Sequence, residues 1–152
     1  TEEGQEALPK DYDRLLGMIV QELSAMTPED TTHKSGTQLL QLVFERLSDG
    51  VAQSYEHDLA GKDLTDRLAT LVGHLGREDF FPETEMVDGM LRIRLLNCPF
   101  RSVALQNKAV CTFDLNLIST MLDVDVEREQ CIHDGDSGCM YTAAVAERGV
   151  AS

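Results

Sequence analysis

The sequence holds no tryptophan, only four cysteines and only 13 lysines and arginines in 152 residues. Each shortage excludes something. So few cysteines rule out a fold stapled by many disulfides, while an apolar share of 42% lets one compact domain over residues 1–152 bury its own core. The basic residues are outnumbered by 27 aspartates and glutamates, leaving a formal charge of −14. A surface that negative repels phosphate backbones and anionic headgroups, so neither nucleic acid nor membrane is expected as a direct partner. The sequence has no apolar run of bilayer length, no basic-then-apolar leader and no internal repeat. The expected setting is therefore the cytoplasm. In that reducing compartment, clustered cysteines serve metals or redox chemistry more often than structural disulfides.

What is present reads as helices first and strands later. After a polar lead-in at Thr1–Gly4, Leu8, Tyr12, Leu15, Leu16, Ile19, Val20 and Leu23 recur at helical spacing up to Met26. That stripe either joins its own core or meets the same helix of a second chain. Thr27-Pro28-Glu29-Asp30 begins like a helix, but the poor helix formers behind it allow a turn or two at most. Ser35 with Gln38 is a capping-box pair, and Leu39, Leu40, Val43, Leu47, Val51, Tyr55 and Leu59 mark one face of a helix reaching Gly61. Asp63 with Asp66 opens a third helix, turning Leu64, Leu68, Leu71, Val72 and Leu75 inward, with Gly76 expected as its C-cap.

After Phe80-Phe81-Pro82 the period falls to two. Asp88-Gly89 supplies the two positive-φ positions of a type I′ turn. Pairing Val87 with Met90 sets Glu85 against Arg92 and Glu83 against Arg94, and leaves Met86, Leu91, Ile93 and Leu95 on the other face. Asn107 caps a helix expected to run through Leu122, with Cys111, Leu115, Ile118 and Leu122 towards the sheet. Val124 to Ile132 and Cys139 to Val145 form a second hairpin around the loop His133–Gly138, and the tail from Glu147 is expected to fray. The expected fold class is α+β: N-terminal helices, then a four-stranded antiparallel sheet of two hairpins with a connecting helix.

All four cysteines fall between residues 98 and 139: Cys98 at a strand end, Cys111 on a helix, and Cys131 and Cys139 at a hairpin mouth. Each stands where an element enters or leaves the sheet, so they are candidates to converge. Four thiolates suit zinc or iron-sulfur equally on softness. No pair has the tight Cys-x2-Cys spacing of a structural zinc knuckle, and dispersed ligands around one pocket are more compatible with a larger, labile cluster. The competing reading is four buried thiols acting as small hydrophobes. Register sets Cys131 apart. Matching apolar residues across the second hairpin puts Val124, Val126 and Ile132 on the face of Cys139, Tyr141 and Val145, which turns Cys131 away unless a bulge or wide loop returns it. Cys98, Cys111 and Cys139 are the core set, and the fourth donor is Cys131, His133, Asp134 or a group outside the segment.

Other candidate sites are weaker. His133-Asp134-Gly135-Asp136 lacks the frame and terminal glutamate of an EF-hand loop, and Asp with Gly is what a turn needs. His33, His57 and His74 stand in no motif and are expected at the surface. Cys131 with His133 lacks the orienting group and oxyanion hole of a nucleophile pair, so an enzyme is not expected.

Asn97-Cys98-Pro99-Phe100, Cys111, and then Cys131-Ile132 with Gly135-Asp136 and Cys139 resemble the C-terminal effector domain of ArsR-related winged-helix transcriptional regulators, in particular SufR-type iron-sulfur-sensing repressors. Thr1-Glu2-Glu3-Gly4 is similar to the end of the wing where it enters the linker helix. The resemblance implies a homodimeric repressor with a 4Fe-4S cluster on Cys98, Cys111 and Cys139, Cys131 being the candidate fourth ligand. It also implies that DNA is touched only by an N-terminal winged-helix domain that this chain lacks, leaving residues 1–152 as a single sensory and dimerisation domain. A 2Fe-2S cluster, a structural zinc domain, and a metal-free domain that takes a small effector are the alternatives.

Overall fold

In the computed structural model, residues 10–131 and 134–145 are described. The lead-in at residues 1–4, Leu8, Ile132, His133 and the tail from Glu147 lie outside them. Four longer helices, α1 (Lys10–Ala25), α2 (Gly36–Ser54), α3 (Leu64–Arg77) and α4 (Thr112–Leu122), are joined to strands β1 (Pro82–Val87), β2 (Met90–Leu95), β3 (Glu127–Gln130) and β4 (Cys139–Ala144). Single helical turns at Pro28–Thr31, Glu56–Leu59 and Arg101–Ala104, and a 3-10 turn at Lys108–Cys111, fill the connections. The fold is α+β, as the sequence leads one to expect. No helix among the described residues is long and apolar enough to cross a membrane.

The helix starts follow the capping chemistry. Ser35 accepts from the Gln38 backbone N–H at 3.2 Å while the Gln38 side chain accepts from Ser35 N–H at 2.8 Å, so two otherwise orphaned donors of α2 are satisfied. Asp63 does the same for α3, accepting from Asp66 N–H at 2.9 Å. The ends differ from expectation. Helix α2 stops at Ser54, short of Gly61, and Leu59 sits on a separate turn beyond Tyr55. Helix α3 passes Gly76 to end at Arg77, and the reversal falls on Asp79 and Phe81, both at positive φ. These costly backbones are held by neighbours: Phe80 N–H donates to Leu75 O at 3.0 Å, and the Asn97 amide donates to Asp79 O at 2.6 Å.

The core forms around α4, whose Leu117, Ile118 and Met121 have no exposed surface. One side packs on α2, where Asn116 Nδ2 donates to Glu45 O at 3.2 Å and to Asp49 Oδ1 at 2.8 Å. Arg67 of α3 donates to Met121 O at 3.1 Å, satisfying a carbonyl at the end of α4. A single apolar cluster joins these helices to Leu91, Ile93, Leu95, Tyr141 and Ala143 of the sheet.

The strand order is β1-β2-β4-β3, antiparallel throughout. The first hairpin has the expected register, with Glu85 opposite Arg92, Glu83 opposite Arg94, and Asp88 and Gly89 at positive φ. The second hairpin contains a bulge. Arg128 pairs with Tyr141 but Gln130 pairs with Met140, so Glu129 is an extra residue in the ladder.

Helix α1 divides its stripe between two directions. Leu15 is buried and Tyr12, Met18, Ile19 and Met26 pack on the core, while Leu16, Val20 and Leu23 are 61%, 53% and 48% exposed.

Candidate functional site

Two strand ends bring the first pair of cysteines together. Cys139 opens β4 opposite Leu95, the last residue of β2, and Cys98 lies three residues beyond Leu95. Both therefore lie at one end of the sheet. Asn97 fixes this turn through its bond to Asp79 O, and Phe100 N–H reaches the Cys98 sulfur. Gly138 is required just before Cys139, because a Cβ there would stand 2.8 Å from Leu95 O.

Cys111 closes the 3-10 turn and occupies the N-cap position of α4, so it enters the site from the start of a helix rather than from its body. Cys131 corrects the register argument. The sequence pattern turns it away from the Cys139 face, but the extra residue at Glu129 reverses the alternation, and Cys131 is buried with 2% exposure. The loop behind it is tied down locally: Cys131 N–H donates to Asp136 Oδ2 at 2.9 Å, and Asp134 N–H donates to Cys131 O at 3.0 Å. Asp136 thus serves the backbone of its own loop. Asp134 pairs with Lys108 at 3.2 Å on the surface and does not join the cysteines.

All four cysteines are free thiols lining one cavity, together with Phe100, Ala104, Leu105 and Asp114. Cys111 and Cys131 are close enough to share a hydrogen bond between their thiols. Cys98 is the half-buried member; the other three are buried. The void between them is about 10 Å³, roughly the room for one water. Among the described residues, no three histidine, cysteine, aspartate or glutamate side chains stand ready-placed to hold a metal ion.

Burial pushes the Cys98 thiol up to about 12, helped by the neighbouring Asp114. Burial also raises Cys111 to about 12, with Cys131 beside it adding to the effect. As thiols they stay protonated near neutral pH, and a bound cation is what turns such groups into thiolates.

Three residues of the site were not singled out from the sequence. Asp114, in the first turn of α4, is buried, and burial lifts its carboxyl to about 7. Tyr141 donates to Asp114 Oδ2 at 3.5 Å. Arg128 donates from Nε to Tyr141 Oη at 3.4 Å and from Nη2 to Cys111 O, and its guanidinium lies 5.5 Å from the Tyr141 ring centroid. In sequence, Asp114 looks like an ordinary first-turn acid and Arg128 like a surface charge on a strand; the pairing of Arg128 opposite Tyr141, ahead of the bulge, and the burial of the first turn of α4 place them here. His74 is a further correction. It is half-buried, with Nδ1 2.9 Å from Tyr55 Oη, whereas His33 and His57 are exposed as expected.

No protein-family model and no curated protein matches the sequence.

Proposed function

We propose that the chain is the sensory and dimerisation domain of a transcriptional regulator, holding an iron-sulfur cluster on Cys98, Cys111, Cys131 and Cys139. What supports this is one observation: every cysteine in the sequence, from four separate places in the chain, faces the same cavity. An all-sulfur donor set suits iron-sulfur chemistry, and a 4Fe-4S cluster is the form the resemblance implies. Such a cluster, when bound, supplies a link between its ligands that is lost on oxidation or iron shortage.

The chain's own residues provide the means to transmit that loss. Tyr12 of α1 donates to Pro99 O at 3.2 Å and lies 2.7 Å from Ser102 Oγ, so the turn that follows Cys98 is fastened to α1. Movement of Cys98 thus pulls on α1. The outward stripe of Leu16, Val20 and Leu23 on the same helix is where we place the second chain of a homodimer. A change in the α1 seam then alters the separation of DNA-reading domains and their match to paired half-sites. The net charge of −14 supports leaving DNA contact to those domains rather than to this one. Arg128 is positioned to offset negative charge on Cys111 and Cys131.

A second reading, a single zinc ion on the same thiolates, is favoured by the small void, because a cluster requires the thiols to swing apart. Iron, zinc and acid-labile sulfide measured on anaerobically purified protein separate the two. Iron and sulfide in equal amounts, lost in Cys98→Ser, Cys111→Ser, Cys131→Ser and Cys139→Ser alike, is the expected result. Stoichiometric zinc without sulfide replaces the cluster with a structural ion, and a metal-free protein sinks both readings.

A further inference from the structure

A second cavity lies beneath α1, walled off from the cysteines by Phe100, which lines both. Its volume is about 170 Å³. A 150 Å³ apolar cavity is enough to admit benzene, so this space fits one small ring. Leu15 and Met18 of α1 and Leu47 and Val51 of α2 form apolar walls. The remaining wall is aromatic: Phe80, Phe100 and Phe113 run edge to face, with ring centroids 6.0 and 5.9 Å apart.

The polar features are few and placed together. His74 lines the cavity, and since its Nδ1 is engaged by Tyr55, Nε2 is the ring's remaining polar atom. Burial holds His74 below its ordinary value, so near neutral pH it is an uncharged hydrogen-bonding group. Arg14 of α1 and Glu78 past the end of α3, both lining the cavity, form an ion pair that bridges the two elements. Apolar walls with a few polar groups are the usual make-up of a small-molecule site, and here the Arg14–Glu78 pair satisfies itself, leaving His74 as the uncharged one.

We propose that this cavity binds a small, neutral, flat aromatic molecule carrying one hydrogen-bonding group, with its ring against the Phe80–Phe100–Phe113 wall and its polar atom on His74. The site is separate from whatever the cysteines hold. Phe100, two residues from Cys98, is the wall the two sites share.

Methyl-detected NMR titration of the whole chain with phenol, and separately with benzene, tests this directly. Both ligands should shift the methyl signals of Leu15, Met18, Leu47 and Val51 in a saturable way. Val51→Phe, which fills the space, should weaken both by at least about tenfold, or Met18→Phe should if the first variant does not fold. His74→Phe should weaken phenol by about fivefold and leave benzene unchanged, as expected for one lost hydrogen bond. No saturable shift in the native chain, or shifts centred elsewhere, overturns the site. Equal effects of His74→Phe on the two ligands overturn the polar contact and with it the ligand class.

Discussion

Asp114→Asn isolates the energetics of the cysteine cavity. The carboxyl is buried, it accepts from the Tyr141 hydroxyl at 3.5 Å, and burial raises it from 3.8 to about 7. As pH rises through 3.8, the unfolded chain gives up this proton while the folded chain keeps it. Stability is thus fully present below that point and falls by about 1.4 kcal/mol per pH unit until the folded group also ionises near 7, a total of about 4 kcal/mol. Asparagine keeps the shape and cannot ionise. The assay is urea denaturation of reduced, metal-free protein, native and variant, at several values between about pH 4 and about pH 8. The variant's advantage should grow by about 3 to 4 kcal/mol across that window and then level off. Taking the difference removes other groups such as Asp30, which the Thr27 N–H and Arg46 hold down at about 2. A difference that stays flat with pH refutes the reasoning, because it means that Asp114 ionises freely in the folded chain.

Three other outcomes follow from the geometry. Gly138→Ala forces a Cβ to within 2.8 Å of Leu95 O and should cost about 1 to 3 kcal/mol in the same denaturation assay; a loss under about 0.5 kcal/mol shows that the hairpin end is not pressed against β2. Tyr12→Phe removes the bonds to Pro99 and Ser102, and should cost about 1 kcal/mol and speed amide exchange in α1. Unchanged exchange there means that α1 is not fastened to the Cys98 turn. Leu16→Lys combined with Val20→Lys should halve the mass seen by light scattering if the exposed stripe is a seam, and an unaltered dimer places the second chain elsewhere.

Much of the fold is legible in the sequence because local chemistry sets it. The Ser35 and Asp63 caps, the Asp88-Gly89 turn and the charge pairs across the first hairpin each depend on residues close in the chain, and all are found where their spacing puts them. Helix ends are less legible. Gly76 is a plausible stop, but packing of Phe80 and the Asn97 bond to Asp79 carry α3 one residue further and place positive φ on Asp79 and Phe81, where glycine would be the expected choice.

The sequence by itself determined that four thiols fall at element edges in an acidic α+β chain, since alternation, capping and turn residues are written locally. It could not determine which way Cys131 points, because a single extra residue at Glu129 inverts every side chain after it, and nothing in the local pattern marks that insertion. Tertiary structure alone decided the surroundings of the thiols. Burying Asp114 under Tyr141, laying Arg128 over that ring and sharing Phe100 between two cavities are contacts between residues far apart in the chain, fixed by how α4 packs on the sheet.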